Sequence, residues 1–168
     1  MSEQASSNSI TTVLVDYQNP THAAQLMELL DEYARHPMGG AQALSDYTRQ
    51  RLTERLATIA GAFSVLAYVN DTPAGLVNCF QGFSTFKCKP LINIHDVVVT
   101  EAYRGKGVVQ ALFAHIEQIA AERGCVKLTL EVLQGNHTAQ QAYRKLGFAS
   151  YELDPHMGVA LFWEKLLS

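Results

Sequence analysis

The chain predicts an α/β fold: one domain with a mixed central sheet of about seven strands and flanking helices. Three observations carry that prediction. Apolar residues alternate at period two in several short runs, amphipathic runs at helical spacing fall between them, and capping residues or glycines stand at the junctions. Read in order, the elements are β-α-α-β-β-β-α-β-α-β-β, with no internal repeat, and 168 residues suit a single core.

The polar start, residues 1–9, is expected to be a disordered lead, and residues 10–168 the domain. "ITTVLVDY" reads as a strand. Asn19-Pro20 then opens a helix toward Arg35, with Ala24, Met27, Leu30 and Ala34 at helical spacing. "HPMGG" breaks it, and a second helix runs from about Leu44 to Ile59, with Tyr47, Leu52, Leu56 and Ile59 on one side. "AFSVLAYV" and "AGLVNCF" around "NDTP" predict a hairpin. A strand from about Leu91 to Thr100 leads into a helix from about Lys106 to Arg123, which Gly124 ends. "VKLTLEV" alternates as a strand, "NHTAQQAYRKLG" is a helix between Asn136 and Gly147, and "FASYEL" and "VALFWEKLL" are expected as closing strands.

Composition removes several function classes. A net charge of −3 argues against a general nucleic-acid binder. No stretch approaches the roughly 18 apolar residues of a membrane span, and the start lacks a signal peptide's basic and apolar regions, so a cytoplasmic protein is expected. The three cysteines, Cys79, Cys88 and Cys125, form no C-x-x-C pair, and no histidine pair has a ligand spacing, so no metal site is expected.

Between Arg104 and Val109 the chain reads R-G-K-G-V-V, and Val108, Leu112, Ile116 and Ile119 follow at helical spacing. A helix start offers unpaired N–H groups and about half a positive charge. Gly105 and Gly107 permit close backbone approach, while Arg104 and Lys106 add charge, so the segment is a seat for phosphate. It is not a P-loop, for no G-x-x-x-x-G-K-[ST] exists. Nor is it a dinucleotide fingerprint, for Gln110 stands where the third glycine belongs. In the preceding strand, "LINIHDVVVT", Ile92 and Ile94 share one phase while Val97 and Val99 continue it one residue out of step. An extra residue near His95-Asp96 restores the alternation, which is a β-bulge.

Two of these motifs resemble the GNAT superfamily of N-acetyltransferases. Arg104, Gly107 and Val109 fall on its [RQ]-x-x-G-x-[GA] pattern, with Val109 departing from the small residue expected last. "NHTAQQAYRKLGF" matches its N-x-x-A-x-x-x-Y-x-x-x-G-F through Asn136, Ala139, Tyr143, Gly147 and Phe148. Asn136 and Tyr143 are two helical turns apart and share a face. The resemblance covers roughly Leu91 to Tyr151. It implies that acetyl-CoA is the co-substrate, with no metal. Backbone amides of Gly105, Lys106, Gly107, Val108 and Val109 would hold its pyrophosphate, and Val97, Val98 and Val99 would hold its pantetheine arm, with Asn136 and Tyr143 completing the site.

The implied activity is direct transfer of acetyl to a primary amine, with a small molecule such as a polyamine or amino acid as the acceptor. An alkylammonium near pKa 10 must lose a proton before it attacks. His95, Glu131 and Asp96 are the candidate bases, each of which is otherwise an ordinary polar residue. Tyr143 matches the family's acid toward the departing thiolate. Full proton transfer from an ordinary tyrosine to an ordinary thiolate is uphill by about 2 kcal/mol, which favours stabilisation through a hydrogen bond. A protein or peptide acetyltransferase and a non-catalytic acyl-CoA-binding module are the alternative readings, and a homodimer is left open.

Overall fold

Five strands, not seven, form the sheet of the computed structural model, which describes residues 9–167. Their spatial order is β1-β2-β3-β4-β5: β1 is Ile10–Leu14, β2 Ala62–Val69, β3 Thr72–Ser84, β4 Lys89–Val99 and β5 Leu128–Leu130. The first four pair antiparallel, and β5 joins β4 in parallel. The helices are α1 (Pro20–Arg35), α2 (Asp46–Thr58), α3 (Val108–Glu122) and α4 (His137–Lys145). Two compact units divide the chain, Met1–Leu130 and Glu131–Ser168, and the whole sheet lies in the first. Residues 1–8 of the expected lead lie outside the described residues. Ser9 is tied to the turn between β2 and β3, donating to Asn70 Oδ1 at 3.1 Å and accepting from Asn70 N at 3.0 Å.

Local chemistry accounts for the element ends. Asn19 Oδ1 accepts from the N–H groups of Thr21 and His22, and Pro20 begins α1 where its missing donor costs nothing. Asn70 and Asp71 both adopt positive φ, as a two-residue hairpin turn between right-twisted strands requires. The register between β2 and β3 slips at Ala67/Tyr68, where Pro73 cannot donate to the ladder.

One sheet face carries Leu66, Leu76 and Val98 against Leu26, Leu29 and Leu30 of α1 and Leu56 of α2. Each such fully buried leucine contributes about 1.5–3 kcal/mol. The expected inward face of α2 is narrower than its spacing suggests, for Leu56 is buried but Tyr47 and Ile59 are exposed. The opposite sheet face receives α3 through Val108, Leu112, Phe113 and Ile116, all buried. Gly75 makes that approach close. A Cβ at Gly75 would lie 2.9 Å from Val108 Cγ1, 3.0 Å from Leu112 Cδ1 and 3.0 Å from the carbonyl oxygen of Val98.

In the second unit, "FASYEL" and "VALFWEKLL" are not strands. They meet only in an isolated antiparallel bridge, Glu152↔Val159, with Ala160 N donating to Tyr151 O at 2.8 Å. Leu153, Leu161, Phe162, Trp163, Leu166 and Leu167 are all exposed. A two-stranded pairing without burial of its apolar face does not hold a ladder.

Asp31 anchors the connection from α1 to α2. It is buried, accepts from Arg35 Nε at 2.7 Å and from Leu44 N at 2.8 Å, and pairs with Arg49. The Arg35 hydrogen bond is the chief cause that holds its carboxyl at about 2, below the ordinary 3.8. A carboxyl depressed in the native state stabilises above its unfolded value and loses that contribution as pH falls through the native one. Asp31→Asn is therefore expected to lower the melting temperature at pH 7, with the deficit shrinking between about pH 4 and pH 2. Melting curves across that range check it, and a deficit independent of pH would show that the charge is not what matters.

Candidate functional site

The bulge foreseen in β4 is present, and its extra residue is His95. Cys79 faces Ile94 and Asn78 faces Asp96, so His95 has no partner on β3. The slip exchanges faces. Ile92 and Ile94 are buried before it, and Val99 after it lies opposite Gly75, on the side that α3 covers. Val98, one residue earlier, joins the leucine cluster on the other face. The bulge also coincides with the end of β5. Ile92, Asn93 and Ile94 pair with Leu128, Thr129 and Leu130, while Asp96, Val97, Val98 and Val99 have no partner on β5. Beyond the bulge the outer edge of β4 thus has no β5 partner.

That edge runs directly into the glycine turn. A single 3-10 turn, Glu101–Tyr103, follows Thr100, and Arg104 N donates to Glu101 O at 3.3 Å. Arg104 Nε donates to Val99 O at 3.2 Å, so this cation braces the turn against the end of β4. Gly105 at φ 72° and Gly107 at φ 91° both occupy the left-handed region. Lys106 Nζ lies 5.5 Å from the centroid of the Tyr103 ring. Gly107 is the N-cap of α3 and offers no side-chain acceptor, and the first intrahelical bond is Ala111 N to Gly107 O at 3.1 Å. The N–H groups of Val108, Val109 and Gln110 therefore have no carbonyl one turn back. Val108 is buried and Val109 half-buried, so neither valine leaves its side chain wholly in the solvent in front of the turn. The result is a cradle of amides at the positive end of a helix, flanked by exposed Arg104 and Lys106.

The polar groups at the bulge differ in how they are held. His95 is exposed, with its ring set edge-on to Phe80 at 5.4 Å between centroids. Asp96 is half-buried and accepts from Asn78 Nδ2 at 2.9 Å. Asn78 in turn accepts from Ser64, which is bonded to Tyr17. These three residues escaped the sequence reading because Ser64 and Asn78 are single polar letters inside apolar runs. That interruption was the available signal. Cys79 is buried, and burial chiefly pushes its thiol up to about 12, which keeps it protonated and unsuited to nucleophilic attack. Among the described residues no cluster of side chains suits a metal ion.

The second unit holds the other three expected site residues, Glu131, Asn136 and Tyr143. Asn136 Oδ1 accepts from Ala139 N at 3.1 Å and so caps α4. Tyr143 lies two turns on, half-buried, with its ring 6.2 Å from that of Phe148. Phe148 N donates to Tyr143 O at 3.0 Å, and Gly147 at φ 89° makes the turn that permits it. Glu131, expected on the polar face of a strand, lies one residue beyond β5 and is exposed.

Comparison with known proteins places these features in one family. Residues 42–148, more than half of the chain, match the family described as Acetyltransferase (GNAT) family. Streptothricin acetyltransferase of Streptomyces lavendulae is 43% identical over 38% of this chain and 33% of its own length. Thialysine N-epsilon-acetyltransferase of Caenorhabditis elegans is 23% identical over 78% of this chain and 79% of its own. The first of these matches thus spans only about a third of that relative. Among solved structures, an aminoglycoside N-acetyltransferase in complex with CoA superposes with a TM-score of 0.73 at 16% identity, covering 94% of this chain and 95% of that one. At that identity the likeness speaks for the fold.

Gly107→Ala tests the cradle. An alanine held at the φ of Gly107 costs about 1–2 kcal/mol or forces the turn to change. Acetyl-CoA affinity measured by titration calorimetry is expected to fall about tenfold, with a lower melting temperature. Unchanged affinity would show that the turn does not hold the ligand.

Proposed function

We propose that this chain, which belongs to the acetyltransferase (GNAT) family, is an acetyl-CoA-dependent N-acetyltransferase whose acceptor is a small amine. The observation that carries the reading is the continuity of the β4 edge that lacks a β5 partner with the amide cradle. A long ligand with a peptide-like arm and a pyrophosphate finds both its needs in one run of chain. In this reading the N–H groups of Gly105 through Val109 meet the pyrophosphate, with Arg104 and Lys106 supplying charge. The backbone of Val97, Val98 and Val99 bonds the pantetheine arm as a further strand would. Small-molecule acceptors are favoured because relatives with sequence similarity include ones named for streptothricin, thialysine and glucosamine 6-phosphate.

The reaction needs no covalent enzyme intermediate. The acceptor's ammonium loses one proton, its nitrogen attacks the acetyl carbonyl carbon, and the carbon–sulfur bond breaks to release CoA thiolate. The nitrogen then sheds its second proton. The products are the acetamide, CoA thiol and one net proton. We assign proton removal to His95 at the bulge, directly or through water, with Glu131 as the second candidate. Tyr143, with Asn136 on the same helix face, donates a hydrogen bond to the sulfur as its charge develops.

A screen for CoA release with thialysine, lysine, spermidine and glucosamine 6-phosphate tests the activity. Release with none of them, together with no thermal stabilisation by acetyl-CoA beyond that by NAD, would overturn it. Tyr143→Phe keeps the ring and its packing against Phe148 while deleting the hydroxyl. It is expected to lower kcat about 100-fold with acetyl-CoA affinity and melting temperature held. Wild-type kcat in the folded variant would return Tyr143 to a packing role.

A further inference from the structure

Four polar side chains form a hydrogen-bonded chain that crosses β2, β3 and β4. Tyr17 Oη lies 2.8 Å from Ser64 Oγ, Ser64 Oγ lies 2.6 Å from Asn78 Oδ1, and Asn78 Nδ2 lies 2.9 Å from Asp96 Oδ2. Ser64 and Asn78 are buried within β2 and β3, and Ser64↔Asn78 and Asn78↔Asp96 are direct cross-strand pairs. Such a chain is expensive to bury unless every member is bonded, and here every member is.

The protons in it run one way. A carboxylate only accepts, so Asn78 turns its NH₂ group to Asp96 and its carbonyl oxygen to Ser64. Ser64 then spends its single proton on Asn78, which leaves Tyr17 as the donor to Ser64. Each donor polarises the next, and the sum of that polarisation arrives at one carboxylate. Asp96 Oδ1 has no hydrogen-bond partner among the described residues. His95, whose ring meets Phe80, precedes Asp96 on β4, and Cys79 follows the facing Asn78 on β3. Burial first, and the charge of Asp96 second, raise the Tyr33 hydroxyl above its ordinary value. Asp96 thus has an acceptor oxygen to offer just past the position at which β5 stops pairing with β4.

We propose that Tyr17, Ser64 and Asn78 form a one-way hydrogen-bond chain that aims Asp96 at the ammonium group of the acceptor. This rests on the acetyl-transfer reading. Asp96 binds and orients the cation. Proton removal stays with His95 or Glu131, as assigned above. Tyr17, Ser64 and Asn78 are positioning residues that act through it.

The test compares Ser64→Ala and Tyr17→Phe in the wild-type and Asp96→Asn backgrounds, using the amine of the four-compound screen that releases CoA fastest. In the wild-type background, each variant is expected to lower kcat/KM for the amine about three- to tenfold, with KM for acetyl-CoA unchanged. With Asn at position 96 neither should cost anything further, since the carboxylate they serve is gone. Equal losses in both backgrounds, or wild-type kinetics with only a lower melting temperature, would overturn the proposal and leave a structural chain. Tyr17→Phe keeps the test open if Ser64→Ala does not fold, because Tyr17 is only half-buried. The side-chain amide signal of Asn78 in nitrogen–proton spectra gives a readout without turnover. It should exchange slowly with water and shift in Tyr17→Phe, and an unmoved signal would overturn the chain. No CoA release by the wild-type protein with any of the four amines would overturn the acetyl-transfer reading and the ammonium's place, while the Asn78 signal would still decide the chain.

Discussion

One extra residue in β4 organises the first unit. Without the bulge at His95, the pleat would carry Ile92, Ile94, Asp96 and Val98 on a single face, burying a carboxylate under α3 and turning Val99 away from Gly75. With it, Val98 joins the leucines beneath α1, Val99 comes to the α3 side, and Asp96 meets Asn78 across the strand pair. The bulge falls where the pairing with the short β5 ends, so the last three valines of β4 have no β5 partner along that edge. A local break in pairing thus brings Asp96 to Asn78 and marks the start of that unpaired stretch.

The glycine turn depends on what happens behind it. For the amides at the start of α3 to face outward, the helix must be fixed close to the sheet. That is the work of Gly75, whose missing Cβ admits Val108 and Leu112 to contact distance of the β3 backbone. The departure at Val109 fits this arrangement. The demand at that position is for an N–H group, which valine keeps, and its side chain is partly buried. Charge is distributed unevenly around the turn. Arg104 is partly committed to the carbonyl of Val99, whereas Lys106, over Tyr103, has only a loose cation–π contact, so it is the more adaptable cation toward an anion.

Much of this was legible in the residues themselves, and the reasons separate what was from what was not. Asn19-Pro20, the phase slip around His95, Gly107 before Val108, and Asn136 with Gly147 are each short-range devices whose chemistry acts within one turn. They appeared where the sequence placed them. The closing strands were not of that kind. Alternation in "VALFWEKLL" records a capacity to pair, and pairing needs a neighbour that the pattern does not name. The short reach of β5 has the same origin, for Glu131 and Val132 continue the pattern after the ladder has ended. The face of α2 was over-read because helical spacing marks which residues align, while the depth of the sheet beneath decides how many are covered.

The polar chain from Tyr17 to Asp96 shows what a strand pattern leaves out. Ser64 and Asn78 each interrupt an apolar run, and either alone reads as an ordinary substitution on a buried strand. Their meaning comes from register: Val65↔Val77 and Leu66↔Leu76 set the pairing that brings Ser64 opposite Asn78, and the bulge sets the pairing that brings Asn78 opposite Asp96. Were the ladder regular through His95, Asn78 would face His95 instead, which offers no charge-fixed acceptor to orient the amide. The bulge is therefore a condition for the direction of the chain, and it falls where the pairing with β5 ends, so both converge on the same few residues of β4.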